Sequence, residues 1–223
     1  MIINKKQFWL NKIIGWENGR YNIKDVKSNF LEKFSDKFSS SLMYRQKIAI
    51  NFLITKIKNK NIVELGCGSG LIANELMHLG AKSYIGIDFA TNAIERAKKN
   101  TAPEYKENIH FYEKEILDIK DLKGDIIFSL GLIDWLTNEE ISHLFKLCSG
   151  FKFIHSFSEK KLSPYLYLHK LYVYLSYGRK NKNYVPRYFS QNELISFNDF
   201  SIQEQIKFYT DKRLKFSKFI YNL

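Results

Sequence analysis

The spacing of apolar residues changes along the chain, and each change marks a change of element. From about Gln7 to Lys58 the spacing is helical: Phe30, Phe34, Phe38 and Leu42 fall every four residues, and Ile48, Phe52 and Ile57 continue an apolar face. Beyond Lys58, short apolar runs alternate with helical stretches. Asn61–Leu65, Lys82–Asp88, Ile109–Glu113, Asp125–Ser129 and Phe151–Phe157 read as strands. Helices are expected from about Leu71 to Leu79, Thr91 to Asn100 and Asn138 to Leu147. The tail differs again: Ser201–Tyr209 and Leu214–Tyr221 flank Thr210-Asp211-Lys212 and predict an antiparallel hairpin at the sheet edge. Strands alternating with helices at this spacing call for an α/β fold built on a mostly parallel, doubly wound sheet. We therefore expect one domain, with residues 1–58 as an N-terminal helical cap, 59–157 as a core, and 158–223 as a lid plus the hairpin.

Composition narrows the classes. A hydrophobic content of 45% with 16% aromatic residues excludes wholesale disorder. No run approaches the roughly 18 apolar residues of a membrane span, and the basic start Met1-Ile2-Ile3-Asn4-Lys5-Lys6 is not followed by the apolar core of a signal peptide. Cys67 and Cys148 lie far apart and give no metal-ligand spacing, so no metal is expected and a cytoplasmic location is. The net charge of +12 points toward nucleic acid, but the lysines are spread along the chain rather than gathered in blocks, which reads as a solvated surface.

The chemistry concentrates in Val63-Glu64-Leu65-Gly66-Cys67-Gly68-Ser69-Gly70. Glycines at 66, 68 and 70 let the chain turn off a strand and let a ligand approach the backbone without meeting a Cβ. Leu71 stands where the dinucleotide fingerprint requires its last glycine, which argues against that class of cofactor. Glu64 suits a cationic ligand better than a pyrophosphate. Asp88, at the end of the second strand, is placed to accept both hydroxyls of a ribose lying across the first two strands, or to cap the helix that starts near Thr91. Glu115-Ile116-Leu117-Asp118 offers a carboxylate and an amide where an adenine edge would lie.

In order and spacing, Glu64 to Gly70, Asp88, Glu115 to Asp118, and Asp125-Ile126-Ile127-Phe128-Ser129-Leu130-Gly131 resemble the motifs of the class I S-adenosylmethionine-dependent methyltransferases, over roughly residues 60 to 160. The resemblance implies a Rossmann-like sheet of seven strands with the last antiparallel. It implies that the loop Gly66 to Gly70, Cys67 included, lies under the methionine part of the cofactor, and that Asp88 holds the ribose; Phe89 belongs to the expected cofactor set. Glu115 and the Ile116 amide would meet the adenine, although the family commonly has Asp where Glu115 stands. Ser129 and Arg45 complete the expected cofactor set, Arg45 by reaching the cofactor carboxylate.

Gly131-Leu132-Ile133-Asp134-Trp135-Leu136 stands where many small-molecule members carry a motif facing the substrate. Asp134 and His155 are the expected bases, with His169 a weaker candidate; the competing reading of His155 is a satisfied core histidine. The tyrosine- and leucine-rich segment Pro164–Tyr177 suits a cap over an apolar acceptor, contact with a membrane surface, or ordinary packing. The layout from Phe157 to Leu194 is similar to the lid of small-molecule O-methyltransferases and, distantly, to the magnesium-protoporphyrin methyltransferase group. The expectation is methyl transfer to a small molecule, on oxygen. An RNA methyltransferase is the first alternative, and a catalytically silent cofactor-binding scaffold the second.

Overall fold

A computed structural model describes residues 5–21, 44–160, 184–198, 205–214 and 217–223 together with residues 167, 170, 171 and 174; the side chains of residues 14, 16 and 18–21 lie outside that description. The apolar runs form strands where their pattern places them: β1 (Asn61–Leu65), β2 (Ser83–Asp88), β3 (Ile109–Glu113), β4 (Ile126–Leu130) and β5 (Lys152–Ser158). With β6 (Lys207–Tyr209) and β7 (Ser217–Tyr221) they make a seven-stranded sheet of order β3-β2-β1-β4-β5-β7-β6. The first five strands pair in parallel, and β7 runs antiparallel to β5 and β6. This is the expected Rossmann-like architecture with an antiparallel last strand.

Successive strand residues face opposite sides, and both sides are covered. Ile62, Tyr84, Phe128, Ile154 and Phe219 pack in one apolar layer with Leu53, Ile57 and Leu76. Val63, Ile127, Phe153 and Ile220 pack in the other with Leu144 and Phe145. The connecting helices are α3 (Ala73–His78), α4 (Thr91–Asn100), α5 (Asn138–Leu147) and α6 (Gln191–Ile195). Thr137 and Glu140 close a reciprocal capping box at the start of α5.

Three expectations change in detail. The N-terminal helical stretch is described as α1 (Lys5–Tyr21) and a second helix, α2, over residues 44–53; the repeat from Phe30 to Leu42 lies outside the described residues. β4 begins one residue later than its apolar run suggests, because Asp125 turns its carboxylate back to accept the backbone N–H of Asn61 at 2.7 Å. Of the two hairpin strands, only β6 lies at a sheet edge. Phe219 and Ile220 of β7 are both fully buried, which requires cover on both faces and places β7 inside, between β5 and β6. His169 and most of Pro164–Tyr177 lie outside the described residues, while Tyr167, Leu171 and Tyr174 are exposed.

Candidate functional site

The order β2-β1-β4 reverses the direction of winding, and ligands of doubly wound sheets bind outside the C-terminal ends of the strands at such a point. A cavity of about 480 Å³ opens there, lined from β1 and its loop by Glu64 to Gly68, from β2 by Ile87 to Ala90, and after β4 by Leu130 to Leu132, Trp135 and Leu136. Lys114, Glu115 and Ile116 form a further wall.

The loop after β1 has its three glycines in the left-handed region, at φ 70°, 52° and 64° for Gly66, Gly68 and Gly70. Gly70 is also sterically required, since a Cβ there would lie 2.6 Å from the ring of Phe111. Asp88 fastens the loop: its Oδ2 accepts the Gly68 N–H at 2.9 Å and its Oδ1 accepts the Ala90 N–H at 2.9 Å. One buried carboxylate thus ties the turn after β1 to the entry of α4 while lining the cavity, and burial pushes its pKa up. The two sequence readings of Asp88, ligand-facing acid and helix-start partner, are compatible in one side chain.

Glu64 lines the cavity but differs from the expectation of a standing negative charge. Its carboxyl is buried and accepts the hydroxyl hydrogen of Tyr84. Burial, with Asp88 and Glu17 as like charges nearby, raises its pKa to about 8, so at neutral pH it is largely protonated. Cys67 is buried too, and its thiol is pushed well up by the same burial and the same acids, which keeps it from being a thiolate.

Phe89, Glu115 and Ile116 lie on the cavity as expected, together with Gly66, Cys67 and Gly68. Five other expected residues do not line it; Gly70 backs onto Phe111 and Ala97 instead. Ser129 and His155 pair inside the sheet, Oγ to Nδ1 at 2.9 Å, with Cys148 Sγ 3.3 Å from Nε2 and the Phe153 ring stacked on the imidazole. The ring is fully buried, and burial lowers its pKa to about 3. His155 thus lies in the core and not on the cavity. Asp134 points away from the cavity to the end of β5, accepting the Ser158 N–H at 2.6 Å and the Ser158 hydroxyl at 2.8 Å. Arg45 is buried 3.9 Å from Asp134 Oδ2 and donates to Ser217 Oγ at 2.5 Å, packed beside Gly131.

The residues that sequence reasoning missed come from α1, which lies along one wall. Lys5, Lys6, Trp9, Ile13 and Glu17 all line the cavity. Trp9 and Trp135 meet edge to face at 4.9 Å, and Tyr184 lies 5.2 Å from Trp135. Tyr184 accepts a hydrogen bond from Trp9 Nε1 at 3.3 Å, and burial raises its phenol to about 12. Glu17 accepts the Ser69 N–H at 2.9 Å and the Ser69 hydroxyl at 2.5 Å. The sequence signal for Glu17 is slight: it is the single acid of a helix otherwise basic, polar and apolar. The cavity therefore has a polar end, formed by the glycine loop and three carboxyl groups, and an aromatic end.

Residues 56–161 match the model of a family described as a methyltransferase domain. The ribosomal protein L11 methyltransferase of Clostridium botulinum is 38% identical over 69 residues, 31% of this chain and 22% of that protein. The mitochondrial ubiquinone biosynthesis O-methyltransferase of Dictyostelium discoideum is 26% identical over 136 residues, 54% of this chain and 42% of that protein. The match thus spans less than half the length of either relative. Among solved structures, magnesium protoporphyrin IX methyltransferase from Synechocystis PCC 6803 with bound SAH superposes with a TM-score of 0.68 at 17% identity, over 97% of this chain and 96% of that one. No helix among the described residues is long and apolar enough to cross a membrane.

Proposed function

Taking residues 56–161 as a class I S-adenosylmethionine-dependent methyltransferase domain, we propose that the chain transfers a methyl group from S-adenosylmethionine to an oxygen of a small-molecule acceptor. One observation carries this reading: a single cavity joins the glycine loop and Asp88 to an aromatic wall of Trp9, Trp135 and Tyr184. The residues fit the cofactor. The loop presents the backbone of Gly66 and Gly68 to the cavity with no side chain in the way. Asp88 supplies an acceptor for ribose hydroxyls, and Phe89, Glu115 and Ile116 form the wall where a base edge would rest.

When bound, S-adenosylmethionine supplies an activated methyl on a sulfonium, so the chain has mainly to align an acceptor and exclude water. The loop Gly66 to Gly70 and Asp88 would hold the donor, while Leu132, Trp135, Leu136 and Tyr184 exclude water at the other end. Tyr184, held as a phenol, can donate a hydrogen bond to an acceptor but does not take its proton at neutral pH. Asp134 and His155 are turned away from the cavity and enter no step.

Calorimetry with S-adenosylmethionine and S-adenosylhomocysteine, followed by transfer assays on small hydroxylated ring compounds, tests the reading. Micromolar cofactor binding and methylated product support it; a folded protein that binds neither cofactor overturns it. An RNA or protein acceptor is the second reading, favoured by the net charge of +12 and by the relative named for a ribosomal protein. For RNA, affinity would fall steeply as salt rises.

A further inference from the structure

Glu17 reaches the loop from a distant part of the chain and lies directly on it. Its carboxylate is buried, takes both the amide and the hydroxyl of Ser69, and stands so close to Gly68 that a Cβ there would lie 2.3 Å from Glu17 Oε1. Other ties hold α1 at the rim: Lys5 to Glu140 at 2.9 Å, Lys6 to Glu113 at 2.6 Å, and the Leu10 carbonyl, which accepts from Asn92 Nδ2 at 2.6 Å. Phe8, Trp9 and Ile13 pack on Ala90 and Ala93. Glu17 is thus the tie from α1 that grips the loop itself.

The helix that carries Glu17 is poorly made for standing alone. Gly15 and Gly19 flank Glu17 within α1, and each glycine in a helix interior weakens it by about 1 kcal/mol relative to alanine. Gly15 has nothing within 4 Å of where its Cβ would be, so packing does not require a glycine there. The turn bearing Glu17 therefore depends on tertiary contacts, among them the two hydrogen bonds to Ser69. Segments with this balance open at low free energy.

We propose that α1 is a roof over the cofactor cavity, latched to the glycine loop by Glu17 on Ser69, and that opening of this latch sets the rate of cofactor exchange. The inference rests on the reading of the cavity as a cofactor site. The latch forms in the free protein and stays closed over bound cofactor, so it slows entry and exit together. Glu17 is a positioning residue in this scheme and makes no contact with the reacting atoms.

The test is stopped-flow tryptophan fluorescence with S-adenosylmethionine and S-adenosylhomocysteine, using the full chain, since Trp9 and Trp135 line the cavity. Glu17→Ala is expected to raise association and dissociation rates together, each by at least about fivefold, with Kd changed by less than about threefold. Gly15→Ala, which stiffens the helix, is expected to lower both rates. Ser69→Ala removes one of the two bonds, so it should move the rates in the same direction as Glu17→Ala, and it carries the test if the latter fails to fold. Unchanged rates overturn the latch. So does a rise in dissociation alone, which would make Glu17 a direct ligand, or a rise in association alone with tighter binding, which would make it a competitor for the site. Failure of the wild type to bind either cofactor is a different result and counts against the cofactor site, not the latch.

Discussion

Asp88 Oδ2 accepts the Gly68 amide hydrogen at 2.9 Å, so the acid that ends β2 is bonded to the middle glycine of the loop that ends β1. The bond joins two neighbouring parallel strands at the point where the cavity opens, and it makes loop shape and ligand contact depend on one carboxylate.

Replacing Asp88 with alanine is therefore expected to weaken S-adenosylmethionine binding at least tenfold, about 1.4 kcal/mol or more. Asp88→Asn keeps an acceptor oxygen and should fall between the two. Calorimetry on both variants, with circular dichroism to confirm the fold, checks this; full affinity in Asp88→Ala would remove Asp88 from the site.

Glu64 makes stability depend on pH. Its folded pKa of about 8 lies above the ordinary 4.5, so the folded state holds a proton that the unfolded chain has released between those values. Its contribution is fully present below about pH 4.5 and is lost as pH rises through 8. Urea unfolding at pH 6, 7 and 8 should show declining stability, and Glu64→Gln, which cannot ionise, should flatten that decline. A variant with the wild-type slope would show that another group is responsible.

His155 acts at the other end of the scale. Its folded pKa of about 3 lies below the ordinary 6.5, so the unfolded chain takes up a proton that the folded protein refuses. This stability is present above about pH 6.5 and is lost as pH falls toward 3. His155→Phe should remove that acid sensitivity while lowering stability at pH 7 by about 1–3 kcal/mol, because Ser129 loses its partner in the core. The pH profile of methyl transfer should keep its shape in this variant; loss of an acidic limb there would restore His155 as a base.

Arg45 and Asp134 lie buried 3.9 Å apart. Arg45→Met leaves the Asp134 carboxylate without its cation and is expected to lower stability by about 3–5 kcal/mol. Arg45→Lys should recover little, because a single ammonium lacks the planar fork with which the guanidinium meets Ser217 and Asp134. Thermal unfolding checks both; a near-neutral Arg45→Met would show that the pair contributes nothing net.

Trp135 belongs to the aromatic end of the cavity. Trp135→Ala should raise the acceptor KM at least about tenfold while leaving cofactor affinity within about threefold, because the ring belongs to the aromatic end. Parallel losses in both would assign Trp135 to general packing instead.

By itself the sequence determined what is local or periodic. Strands and helices alternate because apolar residues alternate in period, and the loop from Gly66 to Gly70 is recognisable because its left-handed turns lie on alternate residues that only glycine readily fills. Asp88 was legible as the acid that ends the second strand, whereas its bond to that loop came from the pairing of β1 with β2. The tertiary structure decided what depends on facing and on distant partners. His155 lies on a strand with both faces covered, so its ring entered the core, where Ser129 and Cys148 satisfy it. Asp134 sits in a short turn whose direction is set by Ser158 on the next strand and by Arg45 from α2. Glu17 meets Ser69 across a sequence separation of 52 residues, and no local rule relates the two. Backbone conformation is largely written by neighbours along the chain, whereas the direction a polar side chain takes is chosen by whichever buried partner can pay for its desolvation, and those partners are assembled only when the sheet forms.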